Sequence, residues 1–255
     1  MTGTTKGVGH DRVSQLAARA LEIVSHKPEG GANQAATVRR VMDLALDVGG
    51  CSVEGMLATL RAERVSDRAL VETYIPAAAR ELGKCWEYDT LAFSQVTLAS
   101  TRLQSMLNEM LPEWELTSHR NYDAQRQALL LVVPHDEQHT LGAMVLRLKL
   151  RQKGYSVRLA MGWSTRRIGQ VLRAEPFAAV IFSCPRSETL EKVTRTIIAL
   201  TASGLRMPAT LAGGAVFDGP NGPTSVPGVD LVSNELASVD RLCRSGAPEQ
   251  SEAAE

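Results

Sequence analysis

Chemistry concentrates in one stretch, Val133-Pro134-His135-Asp136-Glu137-Gln138-His139-Thr140-Leu141-Gly142, where His135, Asp136, Glu137 and His139 crowd together. Imidazole is a good ligand for a transition metal, and a carboxylate bonded to its second nitrogen fixes the tautomer and raises ligand basicity. Glu137 and His139 are spaced to form that pair. A charged loop that is simply solvated is the other reading of the same residues. Two further short sequences invite attention: Ser183-Cys184-Pro185 and Gly213-Gly214. Paired glycines remove side chains where a flat or bulky ligand meets the backbone, although such a pair also serves as a turn. No glycine-rich phosphate loop follows the first strand, and neither a nucleophile elbow nor a metalloprotease helix occurs, so a bound nucleotide is not expected.

These residues need a scaffold that gathers three loops. From Gln127 onward, apolar runs at Ala128–Val133, Tyr155–Ala160, Phe177–Ser183, Ala209–Ala212 and Val229–Val232 alternate with helical patterns at Leu141–Lys153, Thr165–Ala174, Ser187–Ser203 and Glu235–Arg244. Continuous apolar strands alternating with helices predict a doubly wound, five-stranded parallel sheet covered on both faces. Ligands on that architecture bind outside the carboxyl ends of the strands, which is where all three sequences fall. Upstream the period is helical. Val13 to Val24 makes an amphipathic stripe, Pro28 to Asn33 reads as a linker, and helices are predicted over about Ala35–Asp47, Ser52–Arg64, Asp67–Leu82 and Thr90–Leu111. Ser66 and Asp67 suit a helix start and Pro112 a helix end. The expected organisation is an N-terminal helix and linker over 1–34, a four-helix bundle over 35–122, the α/β domain over 123–245, and a polar tail, expected to be disordered, over 246–255.

Composition narrows the function classes. With 255 residues, 44% hydrophobic and 22% charged, the chain is neither a disulfide-stapled miniprotein nor globally disordered. Its 28 basic residues are balanced by 28 acidic ones, which argues against holding nucleic acid through bulk positive charge. The run Arg147, Lys149, Arg151, Lys153 and Arg158 reads as a solvated face. Cys51, Cys85, Cys184 and Cys243 are scattered and form no metal-type pairs, and the N-terminal segment lacks an apolar signal core, so free thiols in the cytoplasm are expected. No apolar run of about 18 residues predicts a membrane span.

The three loop sequences resemble the cobalamin-binding domains, which carry Asp-x-His-x-x-Gly after the first strand, a Ser-x-Leu-like motif after the third and Gly-Gly after the fourth. Here they stand as Glu137-Gln138-His139-Thr140-Leu141-Gly142, Ser183-Cys184-Pro185 and Gly213-Gly214. The resemblance implies a Rossmann-like, flavodoxin-like domain that binds cobalamin. It implies His139 as the lower axial cobalt ligand, replacing the cofactor's dimethylbenzimidazole, with Glu137, Gln138, Thr140, Leu141 and Gly142 around it. Ser183, Pro185, Gly213 and Gly214 would line the channel for the nucleotide tail. Two departures matter: Glu137 replaces the usual Asp, so the bond to His139 is reached differently or made by Asp136, and Pro185 replaces Leu. The helical region resembles the caps of methionine-synthase-like and photoreceptor-type proteins, which implies that Trp86, Phe93, Val96 and Thr97 belong to the cofactor site; bundle core is the other reading of Trp86 and Phe93. Because the cap lacks the photoreceptors' Glu-His pair, a hydroxo- or aquocobalamin is implied over an adenosyl form. His10 is a candidate upper ligand, with a solvated histidine as its alternative.

Over Val38 to Arg244 the sequence looks most like the AerR/PpaA antirepressors, through Trp86-x-x-Asp89, Phe93-x-x-Val96-Thr97 and Ser183-Cys184-Pro185-Arg186. That resemblance implies a non-enzymatic, cobalamin-binding transcriptional regulator, open to control by light, whose partner is a CrtJ/PpsR-type repressor of photosystem genes and whose own DNA affinity is small. Two alternatives stay open: a corrinoid methyl carrier, and a heme-binding sensor on the same scaffold. The retained Glu137-x-His139-x-x-Gly142 speaks against heme, and His26 and His119 read as solvated helix-end side chains. Cys184 reads as packing.

Overall fold

The computed structural model describes residues 31–119 and 127–245. His10, the predicted Val13–Val24 helix, His26 and the tail from Gly246 lie outside them. The helical half comprises α1 (Gly31–Leu46), α2 (Val53–Ala62), α3 (Asp67–Ala69), a π turn at Leu70–Tyr74, α4 (Ile75–Glu87) and α5 (Phe93–His119). Serine caps open two of these: the Ser52 hydroxyl accepts from the Gly55 N–H at 3.1 Å and the Ser66 hydroxyl from the Ala69 N–H at 3.2 Å. Apolar stripes converge on one core, with Val41, Leu60, Leu70, Ile75, Leu82, Leu103, Met106 and Met110 fully buried.

Boundaries differ from the sequence reading for local reasons. α1 begins at Gly31, inside the stretch read as a linker. Thr90 belongs to the turn that closes α4, since its N–H and hydroxyl both donate to the Cys85 carbonyl at 2.8 and 2.9 Å. α5 therefore starts at Phe93, and it continues through Pro112 to His119. A proline inside a helix removes one hydrogen bond and bends the axis, but the good helix formers Glu113, Glu115 and Leu116 carry the helix on.

The second half alternates β1 (Ala128–Val133), α6 (Leu141–Gln152), β2 (Ser156–Met161), α7 (Thr165–Ala174), β3 (Ala179–Ser183), α8 (Ser187–Ala202), β4 (Ala209–Gly213), β5 (Leu231–Val232) and α9 (Leu236–Ser245), with a 3-10 turn at Ala215–Phe217. All strand pairs are parallel, in the order β2-β1-β3-β4-β5. Each face of the sheet has its own core: Leu130, Val132, Val180 and Phe182 on one, Leu129, Leu131, Val133 and Ile181 on the other. The strand order reverses direction between β1 and β3, which opens a crevice at their carboxyl ends.

Helix α6 joins the halves. Ala143 and Leu150 pack on the sheet, while Met144, Val145 and Leu148 belong to the bundle core. No helix among the described residues is long and apolar enough to cross a membrane.

Candidate functional site

The β1–α6 loop leaves the sheet through a tight turn. The Glu137 N–H donates to the Pro134 carbonyl at 3.2 Å, and Asp136 takes a left-handed φ of 64°. Asp tolerates that conformation better than most residues. The turn sends the Glu137 side chain inward, where it is only 1% exposed, and the His139 side chain outward, where it is 59% exposed.

One Glu137 carboxylate oxygen, Oε1, accepts from the His139 backbone N–H at 2.9 Å and lies 2.8 Å from His139 Nδ1. The other, Oε2, accepts from the Thr189 hydroxyl at 2.9 Å and faces the Arg186 guanidinium at 3.8 Å. Burial by itself pushes the Glu137 carboxyl up. The His139 backbone N–H, the His139 ring, the Thr189 hydroxyl and Arg186 outweigh it and hold the group down to about 2. An ionised carboxylate has no proton to give, so Nδ1–H donates, and in the neutral ring the lone pair is then on Nε2 of an exposed side chain. Glu137 thus makes the contact that the sequence left open between it and Asp136. Asp136 instead meets His135 Nδ1 at 2.8 Å, with both side chains exposed.

All three loops converge. Arg186, which follows Ser183-Cys184-Pro185 on the β3–α8 connection, and Thr189, in the first turn of α8, bind Glu137, and Lys192 Nζ of α8 donates to the His135 carbonyl at 3.1 Å. The Cys184 N–H donates to the Gly213 carbonyl at 2.7 Å, and Asn234 Oδ1 accepts from the Gly214 N–H at 2.6 Å. Ser183 is buried and Pro185 half-buried. The glycines have a reason of their own. Gly214 has a φ of 141°, and a Cβ there would stand 2.2 Å from the Cys184 carbonyl oxygen; one on Gly213 would stand 2.7 Å from the Ser233 carbonyl oxygen. Their first role is to let two loops touch backbone to backbone. Gly142 is different, with ordinary φ and nothing beyond its chain neighbours and its own helix backbone within 4 Å of the place a Cβ would take. Neither conformation nor packing requires glycine there, so its bareness leaves open space at the start of α6, three residues after His139.

The bundle reaches the same loop. Gln104 Nε2 of α5 donates to the Thr140 hydroxyl at 3.1 Å, while Leu141 packs against the bundle core. Phe93, Thr97 and Ser100 share the Gln104 face of α5, since their spacing returns to one side of a helix. Phe93 is 69% exposed and Trp86 55%, so neither is bundle core. Thr97 is exposed and its hydroxyl donates to the Phe93 carbonyl at 2.8 Å. Val96 lies half-buried against the bundle core, at the edge of that face. Gln138 is exposed beside the dyad.

Sequence reasoning missed Thr189. Its signal is a polar residue on the stripe it shares with Val193, Ile197 and Leu200 of α8, where a buried hydroxyl must find a partner. Among the described residues no group of three or more His, Cys, Asp or Glu side chains could hold a metal ion. A metal at His139 would have to bring its other ligands with it.

Comparison with known proteins places this arrangement. No protein-family profile matches the chain. The fold is similar to that of the Methanosarcina barkeri monomethylamine corrinoid protein, 12% identical, with a TM-score of 0.60 over 83% of this chain and 95% of that one. A cobalamin-binding protein from Desulfitobacterium hafniense DCB-2 is 19% identical, with a TM-score of 0.42 over 84% of this chain and 98% of that one. The fold shared with the monomethylamine corrinoid protein is a helical region followed by a Rossmann-like parallel α/β domain. In sequence, 182 residues are 33% identical to an uncharacterized 20.5 kDa protein in the bchF-crtJ intergenic region of Rhodobacter capsulatus, spanning 70% of this chain and 92% of that protein. At that identity and coverage the chain belongs to the family of the Rhodobacter capsulatus bchF-crtJ intergenic protein.

Proposed function

We propose that the chain is a cobalamin-binding regulator, with His139 Nε2 as the lower axial ligand of the cobalt. The observation that carries this reading is the buried Glu137 carboxylate 2.8 Å from Nδ1 of the exposed His139: a carboxylate there fixes the Nδ1–H tautomer, which makes Nε2 the ligating nitrogen. A lone ligand of this kind fits a metal already held in a macrocycle. The bare backbone at Gly142 leaves room for a flat ring beside it. Cobalamin supplies a cobalt whose upper ligand is exchangeable, by solution ligands or by light. The chain's part is to hold the lower ligand and to offer Trp86, Phe93 and Thr97 as exposed surface on the bundle. Hydroxo- or aquocobalamin is the form proposed, since none of these three positions is a histidine. His10 remains the candidate upper ligand on the chain.

Loop and bundle share the Gln104–Thr140 bond, so a change at His139 is felt by α5 and biases how bundle and sheet pack. The relative is named for its place between bchF and crtJ, which supports a CrtJ/PpsR-type repressor as the partner. On this reading the chain acts by binding, without turnover and with little DNA affinity of its own. The corrinoid methyl carrier is the second reading, favoured by the fold likeness to the monomethylamine corrinoid protein.

The test is the visible spectrum after incubation with hydroxocobalamin and desalting, for wild type and His139→Ala, in darkness and after illumination. The wild type should retain the corrin with a histidine-ligated spectrum, and the variant should lose or shift it. Light dependence would favour the regulator over the carrier. A wild type that retains no corrin refutes the reading.

A further inference from the structure

The crossover from β4 to β5 is a loop. Parallel strands are usually joined through a helix, yet residues 214–230 hold only the 3-10 turn at Ala215–Phe217. Both ends of the stretch are fastened. At its start, Asn234 accepts from the Gly214 N–H at 2.6 Å and donates to the Gly214 carbonyl at 3.2 Å and to Asp218 Oδ1 at 2.7 Å. At its end, Val226 is buried in the core of one sheet face, and the Asp230 N–H donates to the Thr210 hydroxyl at 2.9 Å. Between them stands the turn Gly219-Pro220-Asn221-Gly222, where the Gly222 N–H donates to the Gly219 carbonyl at 3.3 Å.

Asn221 and Gly222 are a reactive pair, and the sequence holds asparagine followed by glycine only here. The main-chain nitrogen after an asparagine can close a ring on the carboxamide carbon, and glycine shields that nitrogen least because no Cβ stands beside it. Packing enforces glycine at this position. A Cβ on Gly222 would stand 2.7 Å from the Phe217 carbonyl oxygen and 2.9 Å from its carbon. Asn221 is exposed, and among the described residues its carboxamide has no hydrogen-bond partner. The bond on the Gly222 N–H is long, so it restrains the nitrogen weakly. Other described asparagines lack this combination. Asn33 and Asn108 lie inside α1 and α5 and precede Gln34 and Glu109, while the Asn234 carboxamide is held by three bonds.

We propose that Asn221 is a site of self-modification, converting to aspartate and isoaspartate without an enzyme. The Gly222 nitrogen attacks Asn221 Cγ: the N–Cγ bond forms, the Cγ–Nδ2 bond breaks, and ammonia leaves carrying the proton from the Gly222 nitrogen. Water is the one co-reactant, and it opens the resulting succinimide at either carbonyl. Opening at Cγ restores the original main chain with a carboxylate on the side chain. Opening at the main-chain carbonyl routes the chain through Cβ and Cγ, one carbon longer, and leaves the carboxylate as the side group. Either product puts a new negative charge three positions from the Asp218 carboxylate, on the loop that begins at Gly214. The isoaspartyl product also suits a partner of defined chemistry, a carboxyl methyltransferase that recognises isoaspartate. The inference rests on this loop alone and stands independently of cobalamin.

The experiment is peptide mapping by mass spectrometry of the full chain held folded at pH 8, read against a zero-time sample. Isoaspartate is counted separately, by methyl transfer from S-adenosylmethionine with an isoaspartate-specific carboxyl methyltransferase. Asn221 should deamidate at least tenfold faster than Asn33, Asn108 or Asn234, and the aged chain should gain methyl-accepting sites. Asn221→Gln must close a larger ring, so it should lower methyl acceptance at least tenfold while the thermal midpoint matches wild type. The proposal is overturned if Asn221 deamidates no faster than the helical asparagines. It is also overturned if methyl acceptance persists in Asn221→Gln, which would assign the isoaspartate to another position such as Asp218-Gly219.

Discussion

Thr189→Val tests the clamp on Glu137 with almost no change of shape. The hydroxyl is 1% exposed and donates to Glu137 Oε2 at 2.9 Å, and the valine methyl replaces it with a group that cannot donate. Arg186 at 3.8 Å is then the remaining contact of that oxygen. A hydrogen bond to a buried charged group contributes about 1.5–3 kcal/mol, and for a chain of this size that lowers the thermal midpoint by about 3–12 °C. The pH dependence separates this mechanism from mere loss of packing. Glu137 is held from an ordinary 4.5 down to about 2, so its contribution to stability is fully present above pH 4.5 and is lost as pH falls toward 2. The whole effect is worth roughly 3 kcal/mol at neutral pH, of which the Thr189 bond is one part. Urea midpoints of wild type and Thr189→Val should therefore differ clearly at pH 7, draw together below pH 4.5 and converge as the pH approaches 2. A difference that is absent at pH 7, or that is equal at both pH values, refutes the argument that this hydroxyl stabilises an ionised Glu137.

Two other substitutions follow from the same geometry. Gly214→Ala should be strongly destabilising, by about 3 kcal/mol or more, because the new carbon meets the Cys184 carbonyl and the backbone φ is 141°; the measurement is the thermal midpoint, and a change under 1 °C would contradict it. Burial, with the Glu137 carboxylate adding to it, pushes the Cys184 thiol up to about 12. At pH 8 a thiol reagent should label the half-buried Cys51 and Cys85 while Cys184 reacts only on unfolding, which mass spectrometry of the labelled protein would show.

The α/β half was legible because its signal is redundant. β1 and α7 coincide with the predicted spans, since a strand covered on both faces must be apolar throughout and α7 carries a strong amphipathic period. β5 is shorter than its apolar run, Leu231–Val232 against Val229–Val232, because only two of its residues find partners on β4. In the bundle, one extra residue per turn at Leu70–Tyr74 hardly disturbs a 3.6-residue pattern, so the π turn leaves no trace in the sequence. Aromatic type could not settle Trp86 and Phe93, because the same side chain suits a core or an exposed binding face; only their exposure distinguishes the two. The Glu137–His139 contact is local and readable from spacing. The Thr189 contact spans 52 positions and needs the fold to exist first.

The seam between the two cores lies inside a single helix. Along α6, alternate sides face different masters: Met144, Val145 and Leu148 complete the bundle, and Ala143 and Leu150 complete the sheet. The segment between α5 and β1 looks like a natural place to divide the chain, yet a cut there would strip cover from three apolar side chains on the piece that keeps α6. The bundle is therefore no interchangeable module. Fitting a different helical cap to this sheet would require rewriting α6 at the same time, and the helix being rewritten is the one whose first turn begins beside His139.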